Sequence, residues 1–204
     1  TTNPSLLKKS NIKNYKEFVY KCKNIVKSKS ISFEVTADSY KKILEQANWL
    51  KKNAKKCYIK VPIVNSEGLS NIKIIKKLQE IGCKLNITAV FTENQIDTIF
   101  KNINKQRYTI ISIFAGRIAD TGKSPNKIIK LALNKSRKSK KINILWASAR
   151  EIYNFYEAKK LGCDIITLDK SLISKLKLRN KNLKKYSKET SKQFFKDGKK
   201  IKFI

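Results

Sequence analysis

Histidine and methionine are both absent from this 204-residue chain. Lack of imidazole excludes a His-based zinc site, a Ser-His-Asp triad and a Cys-His pair, so acid–base work must fall to Glu, Asp, Lys, Tyr or Cys. Arginine is scarce too: only Arg107, Arg117, Arg137, Arg150 and Arg179 occur. Nucleic-acid readers lean on Arg for bidentate contacts with phosphates and guanines. The formal charge of +32 is almost all lysine, spread over every segment. It reads as composition drift rather than a nucleic-acid surface, although a positive surface still attracts phosphorylated molecules. Apolar runs are only a few residues long, which excludes a bilayer-spanning helix, and no basic-then-apolar segment opens the chain as a secretion signal. The four cysteines, Cys22, Cys57, Cys83 and Cys163, form no CxxC pair. They read as small buried apolar side chains in a reducing, cytoplasmic compartment. Neither a GxGxxG fingerprint nor a Walker phosphate loop is present.

What is present is a globular composition, 41% apolar, with no break that would mark a linker. From residue 30 onward short apolar runs alternate with amphipathic stretches. Strands are expected at 30–35, 57–61, 85–91, 108–114, 142–146 and 163–168. The helices between them are expected at 38–52, at 68–81 closed by Gly82, after the Thr92 capping box, near Ser124-Pro125, and at 149–161. A lysine-rich helical tail follows, 177–204 of a single domain. Strand–helix alternation argues for a parallel sheet covered by helices, either an open doubly wound sheet or a closed barrel. The missing nucleotide fingerprints weigh against the former.

In a barrel the catalytic residues sit at the C-terminal ends of strands, and polar residues collect there. Lys60 interrupts the apolar strand Cys57-Tyr58-Ile59-Lys60-Val61-Pro62. In a covered parallel strand such a lysine has no watery edge to reach. Burial disfavours the charged form of an amine, and a neutral amine attacks a carbonyl to form an imine. Glu34, one strand away, is the candidate for moving protons. Asn86 and Thr88, two apart and therefore on one face, suit a water or sugar hydroxyls, or else form a neutral polar layer. Arg117 and the Ser148/Arg150 pair follow consecutive strand ends, where barrels bind phosphate and helix N-termini add N–H donors.

These residues stand in five collinear motifs: Thr1-Thr2-Asn3-Pro4-Ser5-Leu6, Lys60-Val61-Pro62, Asn86-Ile87-Thr88, Phe114-Ala115-Gly116-Arg117-Ile118 and Ala147-Ser148-Ala149-Arg150. Together they resemble the transaldolase family, a branch of the class I aldolase barrels, over residues 1 to about 176. The resemblance implies a (β/α)8 TIM barrel. It also implies that Lys60 is the Schiff-base lysine and that Glu34 is an acid/base working through a water oriented by Thr88. Asn3 and Asn86 would line the substrate, Phe114 would lie beside the imine, and Arg117, Ser148 and Arg150 would grip the sugar phosphate. It implies transfer of a dihydroxyacetone unit between sugar phosphates, as in the pentose phosphate pathway, with no metal or organic cofactor. The wording of the Phe114 and Trp146 motifs resembles a divergent branch found near surface-polysaccharide genes. An aldolase or lyase acting on another sugar phosphate therefore stays open, as does an inactive barrel. The family places a strand bearing a catalytic aspartate before Thr-Thr-Asn-Pro. A chain starting at that motif, without methionine, is expected to be truncated there, to lack the first strand, and to self-associate through the resulting edge.

Overall fold

The computed structural model describes residues 1–26, 29–54 and 56–201. They fall into two compact units, Thr1–Thr167 and Leu168–Ile204.

The first unit opens with two helices, α1 (Pro4–Lys9) and α2 (Tyr15–Val26). Neither was expected from periodicity, yet α1 carries a local start signal. The Asn3 side chain caps the Leu6 N–H at 2.8 Å, and Pro4 holds the first helical turn, where a missing N–H costs nothing. Then follow β1 (Ser32–Glu34), α3 (Tyr40–Asn53), β2 (Tyr58–Pro62), α4 (Ile72–Glu80), β3 (Leu85–Val90), α5 (Glu93–Asn102) and β4 (Thr109–Ile113). The remainder is α6 (Ala115–Ala119), α7 (Asn126–Ser136), β5 (Ile142–Trp146), α8 (Tyr153–Leu161) and β6 (Ile165–Ile166). All six expected strands are present: 142–146 as expected, 57–61 shifted by one residue, 85–91 and 108–114 trimmed by one or two, 30–35 by three, and the last shortened to two.

The strands pair in chain order, β1 to β6, and every pairing is parallel. A doubly wound sheet reverses its strand order to place helices on both faces. This sheet has no reversal, so its helices collect on one face, and the open doubly wound alternative is set aside. Six strands of the eight that a complete barrel would have are seen, and among the described residues β1 and β6 are not paired with each other. At the outer edge of β1 the Thr2 N–H donates to the Ser32 carbonyl at 3.0 Å.

Strand alternation divides the sheet. Phe33, Ile59, Val61, Leu85, Ile87, Ile111, Ile113, Ile144 and Trp146 face the helices and are buried with Ile43, Leu50, Ile75, Leu78, Ile96, Ile99 and Ile129. At about 1.5–3 kcal/mol for each large side chain fully buried, this face supplies the main driving force of the fold. The other face is lined by Glu34, Tyr58, Lys60, Asn86, Thr88, Ile110, Ser112 and Leu145, with only a small apolar cluster around Ile110, Leu145 and Ala147. A bulge in β3 marks the top of this inner face. The pairing with β4 shifts between Ile87 and Val90, and Ala89 takes a positive φ of 55°. The extra residue turns Val90 into the helix-side core while Thr88 keeps its inward aim.

Two helices begin later than periodicity predicts. Residues 68–71 belong to a tight turn, because the Asn65 side chain accepts from the Glu67 and Leu69 N–H groups and Gly68 takes a φ of 82°. Residues 149–152 stay irregular, because the Asn154 carboxamide takes the N–H groups of Arg150 and Glu151. Such side-chain acceptors compete with the first helical turn. The Thr92–Gln95 capping box at the head of α5 is present as expected, with both reciprocal bonds made.

The second unit holds α9 (Lys170–Lys175), a 3-10 turn (Leu176–Leu178) and α10 (Leu183–Gly198), the last capped by Asn182. No helix among the described residues is long and apolar enough to cross a membrane.

Candidate active site

Register brings the sequence candidates together. Glu34 lies opposite Lys60, and Lys60 opposite Asn86, in three adjacent strands. The three recur every 26 residues, and Ser112 continues the series. The Lys60 Nζ stands 2.9 Å from Glu34 Oε2, with side chains only 7% and 13% exposed. Its other contact is the Thr2 carbonyl at 3.3 Å. The amine thus points inward, away from bulk water, with a carboxylate in reach of its proton. Thr2 ties the edge of this pair: its hydroxyl donates to the Ser32 carbonyl at 3.1 Å and accepts the Glu34 N–H at 3.3 Å. The Tyr15 hydroxyl donates to the Glu34 carbonyl at 2.8 Å, and burial of that phenol pushes its pKa up, with the nearby Cys57 and Glu34 adding to the shift. Tyr15 therefore acts as a neutral brace for the strand end.

The Asn86 amide is engaged through both its nitrogen and its oxygen. Its Nδ2 donates to Ser32 Oγ at 3.1 Å, and its Oδ1 accepts from Ser112 Oγ at 2.7 Å. That chain places Asn86 at the centre of a neutral polar layer, with a second Nδ2 hydrogen beyond the one given to Ser32. Thr88 differs: its hydroxyl is buried and has no hydrogen-bond partner among the described residues. A buried polar group left unpaired costs about 1–3 kcal/mol, so this hydroxyl, on the same face as Lys60, is open to a ligand atom or water. Asn3 has its side-chain oxygen engaged in capping α1, which leaves the amide NH2 as its free end. Sequence reasoning did not single out Ser32, Ser112 or Thr2. The first two carried a signal, since both share the inward parity of Glu34 and Asn86 on their strands.

The cationic candidates lie in two neighbouring loops, above β4 and β5. Arg117 sits within α6, its guanidinium 5.3 Å from the centre of the Phe114 ring. Phe114 also packs on Phe91, with ring centres 5.4 Å apart. Arg150 lies in the irregular stretch before α8 and forks onto Asp120, its Nε 2.9 and 3.0 Å from the two carboxylate oxygens and its Nη2 on the second of them. This hydrogen bond, with both guanidiniums close by, holds the Asp120 carboxyl below the usual range. Ser148 takes a positive φ of 63° and donates its N–H to Thr167 Oγ1 at 3.3 Å. The loops touch at Gly116, where an added Cβ would lie 1.6 Å from the Ser148 carbonyl oxygen. Only glycine admits this approach.

Cavities of about 340 Å³, beside Phe33 and Cys57, and 450 Å³, between α1 and α2, are lined by other residues than Lys60. The larger reaches Tyr15 and Thr36, next to the Glu34 strand end.

A sequential parallel sheet, helices on one face and an amine–carboxylate pair among polar strand ends on the other, defines the barrel-wall class of α/β proteins. The chain belongs to the transaldolase/fructose-6-phosphate aldolase family, whose profile matches residues 1–203. It is similar to a probable transaldolase of Brucella anthropi, 33% identical over 168 residues, which cover 82% of this chain and 73% of that protein. Probable transaldolases of Nitrosopumilus maritimus and Methanococcus vannielii are each 30% identical, over 178 and 177 residues. These matches cover 86% of this chain and 76% and 78% of those proteins.

Proposed function

We propose that this chain carries transaldolase-type chemistry, moving a three-carbon dihydroxyacetone unit between sugar phosphates through an imine on Lys60. The observation that carries the reading is the buried Lys60–Glu34 pair at 2.9 Å on the polar face of the sheet. Taking two charges out of water usually contributes little net stability, so a pair kept there is better explained by chemistry than by folding.

Glu34 takes a proton from the ammonium, and Nζ attacks the ketose C2 carbonyl. The carbinolamine oxygen leaves as water, and the protonated imine draws in the electron pair of the C3–C4 bond as it breaks. The proton of the C4 hydroxyl passes to a base, and an aldehyde departs. The enamine then adds to an acceptor aldehyde, and water returns to release the new ketose. The unpaired Thr88 hydroxyl is the natural anchor for the water that relays protons to Glu34. Arg117, Ser148 and Arg150 hold the phosphate of donor and acceptor, with Phe114, Asn86 and Asn3 lining the carbon chain. The work lies in the cytoplasm of carbohydrate metabolism.

Incubation with fructose 6-phosphate and borohydride tests this. A C3 adduct on the peptide containing Lys60 is the expected result, and Lys60→Arg should abolish it while folding survives. Adducts elsewhere, or none, overturn the reading. The family also includes aldolases that release the three-carbon unit, so assays with and without an acceptor aldehyde separate transfer from release.

A further inference from the structure

The Asp120 carboxylate is not among the groups assigned above, yet it occupies the middle of the cationic loops. We propose that Asp120 is the positioning residue of the phosphate site, holding the Nε edge of Arg150 in a fork so that its remaining Nη1 edge is presented to a phosphate beside Arg117. This rests on the transaldolase-type reading of the site.

Arginine brings five N–H donors in one rigid plane. The contacts to Asp120 come from Nε and Nη2, which leaves the Nη1 edge unclaimed among the described residues. Arg150 and Asp120 are both about half exposed, at 48%, so without a tether the long side chain would wander. A flexible arginine loses rotamer freedom when it binds, and a fork formed beforehand removes part of that loss from the binding step. The backbone is fixed in the same way. The Gly116 N–H bonds the Ala147 carbonyl at 3.3 Å, and Gly116 admits the close approach of Ser148. Asn154 holds the N–H of Arg150 at 2.9 Å. Arg117 is steadied separately on Phe114. Loop, backbone and guanidinium are thus all set before a ligand arrives.

Charge sharpens the role. The two guanidiniums and one carboxylate sum to a single positive charge, so the carboxylate weakens the pull on any anion while improving geometry. The proposal holds that geometry wins. Asp120→Ala should raise KM for fructose 6-phosphate roughly tenfold or more, about the effect of losing one charge-assisted contact. Its kcat, and the rate of borohydride trapping of unphosphorylated dihydroxyacetone on Lys60, should stay unchanged. Asp120→Glu, which keeps the acceptor pair, should recover part of the affinity. An unchanged or lower KM in Asp120→Ala would mean that the carboxylate merely competes with phosphate, and overturns the proposal. Equal losses on phosphorylated and unphosphorylated substrates would show a structural role and overturn it too. Failure of wild-type protein to trap either substrate would instead remove the imine reading on which the proposal stands.

Discussion

A lysine and a glutamate that neutralise each other under a lid of side chains make a sensitive pair. Replacing Lys60 by Met leaves the Glu34 carboxylate buried without its partner, at a cost of about 3 kcal/mol. Adding Glu34→Gln to that variant removes the stranded charge and should restore most of the loss. Urea midpoints of the single and double variants check both. A second residue-scale effect is set by pH. Burial, helped by the neighbouring Cys83, pushes the Cys57 thiol from 9.0 up to about 11. The folded chain holds this proton more tightly than the unfolded chain does. The stability it contributes is therefore intact below pH 9 and lost as pH rises through 11, by up to about 1.4 kcal/mol for each unit in between. Denaturation curves at pH 8, 9.5 and 11 should show the slope, and Cys57→Ala should flatten part of it. That Lys60, Glu34, Asn86 and Thr88 share one polar face was legible because each breaks an apolar strand with a polar group of the same parity. Asp120 was not, because nothing in a surface Asp near a helix end says which arginine folds back onto it.

At the scale of elements, the junction of the loops that carry Arg117 and Arg150 depends on one missing side chain. Gly116→Ala would force a methyl into the Ser148 carbonyl, contact with backbone rather than a yielding side-chain tip. It should cost about 2 kcal/mol of stability and weaken phosphorylated substrates, while dihydroxyacetone still labels Lys60. Thermal melts and KM measurements read the two effects. The strands were found in the sequence because each is a short β-branched run between helical repeats. Their ends were less visible: the Asn65 and Asn154 side chains replace first helical turns with turns of their own, and alternation alone gives no sign of an inserted residue such as Ala89. The α1–α2 hairpin was missed although α2 repeats apolar residues at helical spacing, with Val19 buried in the core and Tyr15, Phe18 and Cys22 packed against it; α1 is too short, at six residues, to show a period.

Taken whole, the molecule carries 47 basic and 15 acidic side chains. Among the described residues, most of its ion pairs are exposed surface contacts such as Lys21–Glu17 and Lys127–Glu93, each worth well under 1 kcal/mol. Self-repulsion should therefore dominate its response to salt. Raising NaCl from 20 to 500 mM shortens the screening length from tens of ångströms to a few and should raise Tm by several degrees, the reverse of a fold held by surface pairs. A calorimetric scan at both concentrations decides it.

Each strand pairs with the next one made, so the sheet is written in the order of synthesis. Thr2, Glu34, Lys60 and Asn86 all precede residue 90, and every contact between them spans one or two strand–helix units. The segment that carries the Lys60–Glu34 pair is thus made before the loops at 117 and 150, whereas Ser112 of the polar layer and much of the helix-side core, up to Trp146, are made later. Local pairing of this kind favours early collapse of the segment that carries it. Lys60 and Glu34 therefore sit on strands that pair with each other without any residue of the loops that hold Arg117 and Arg150.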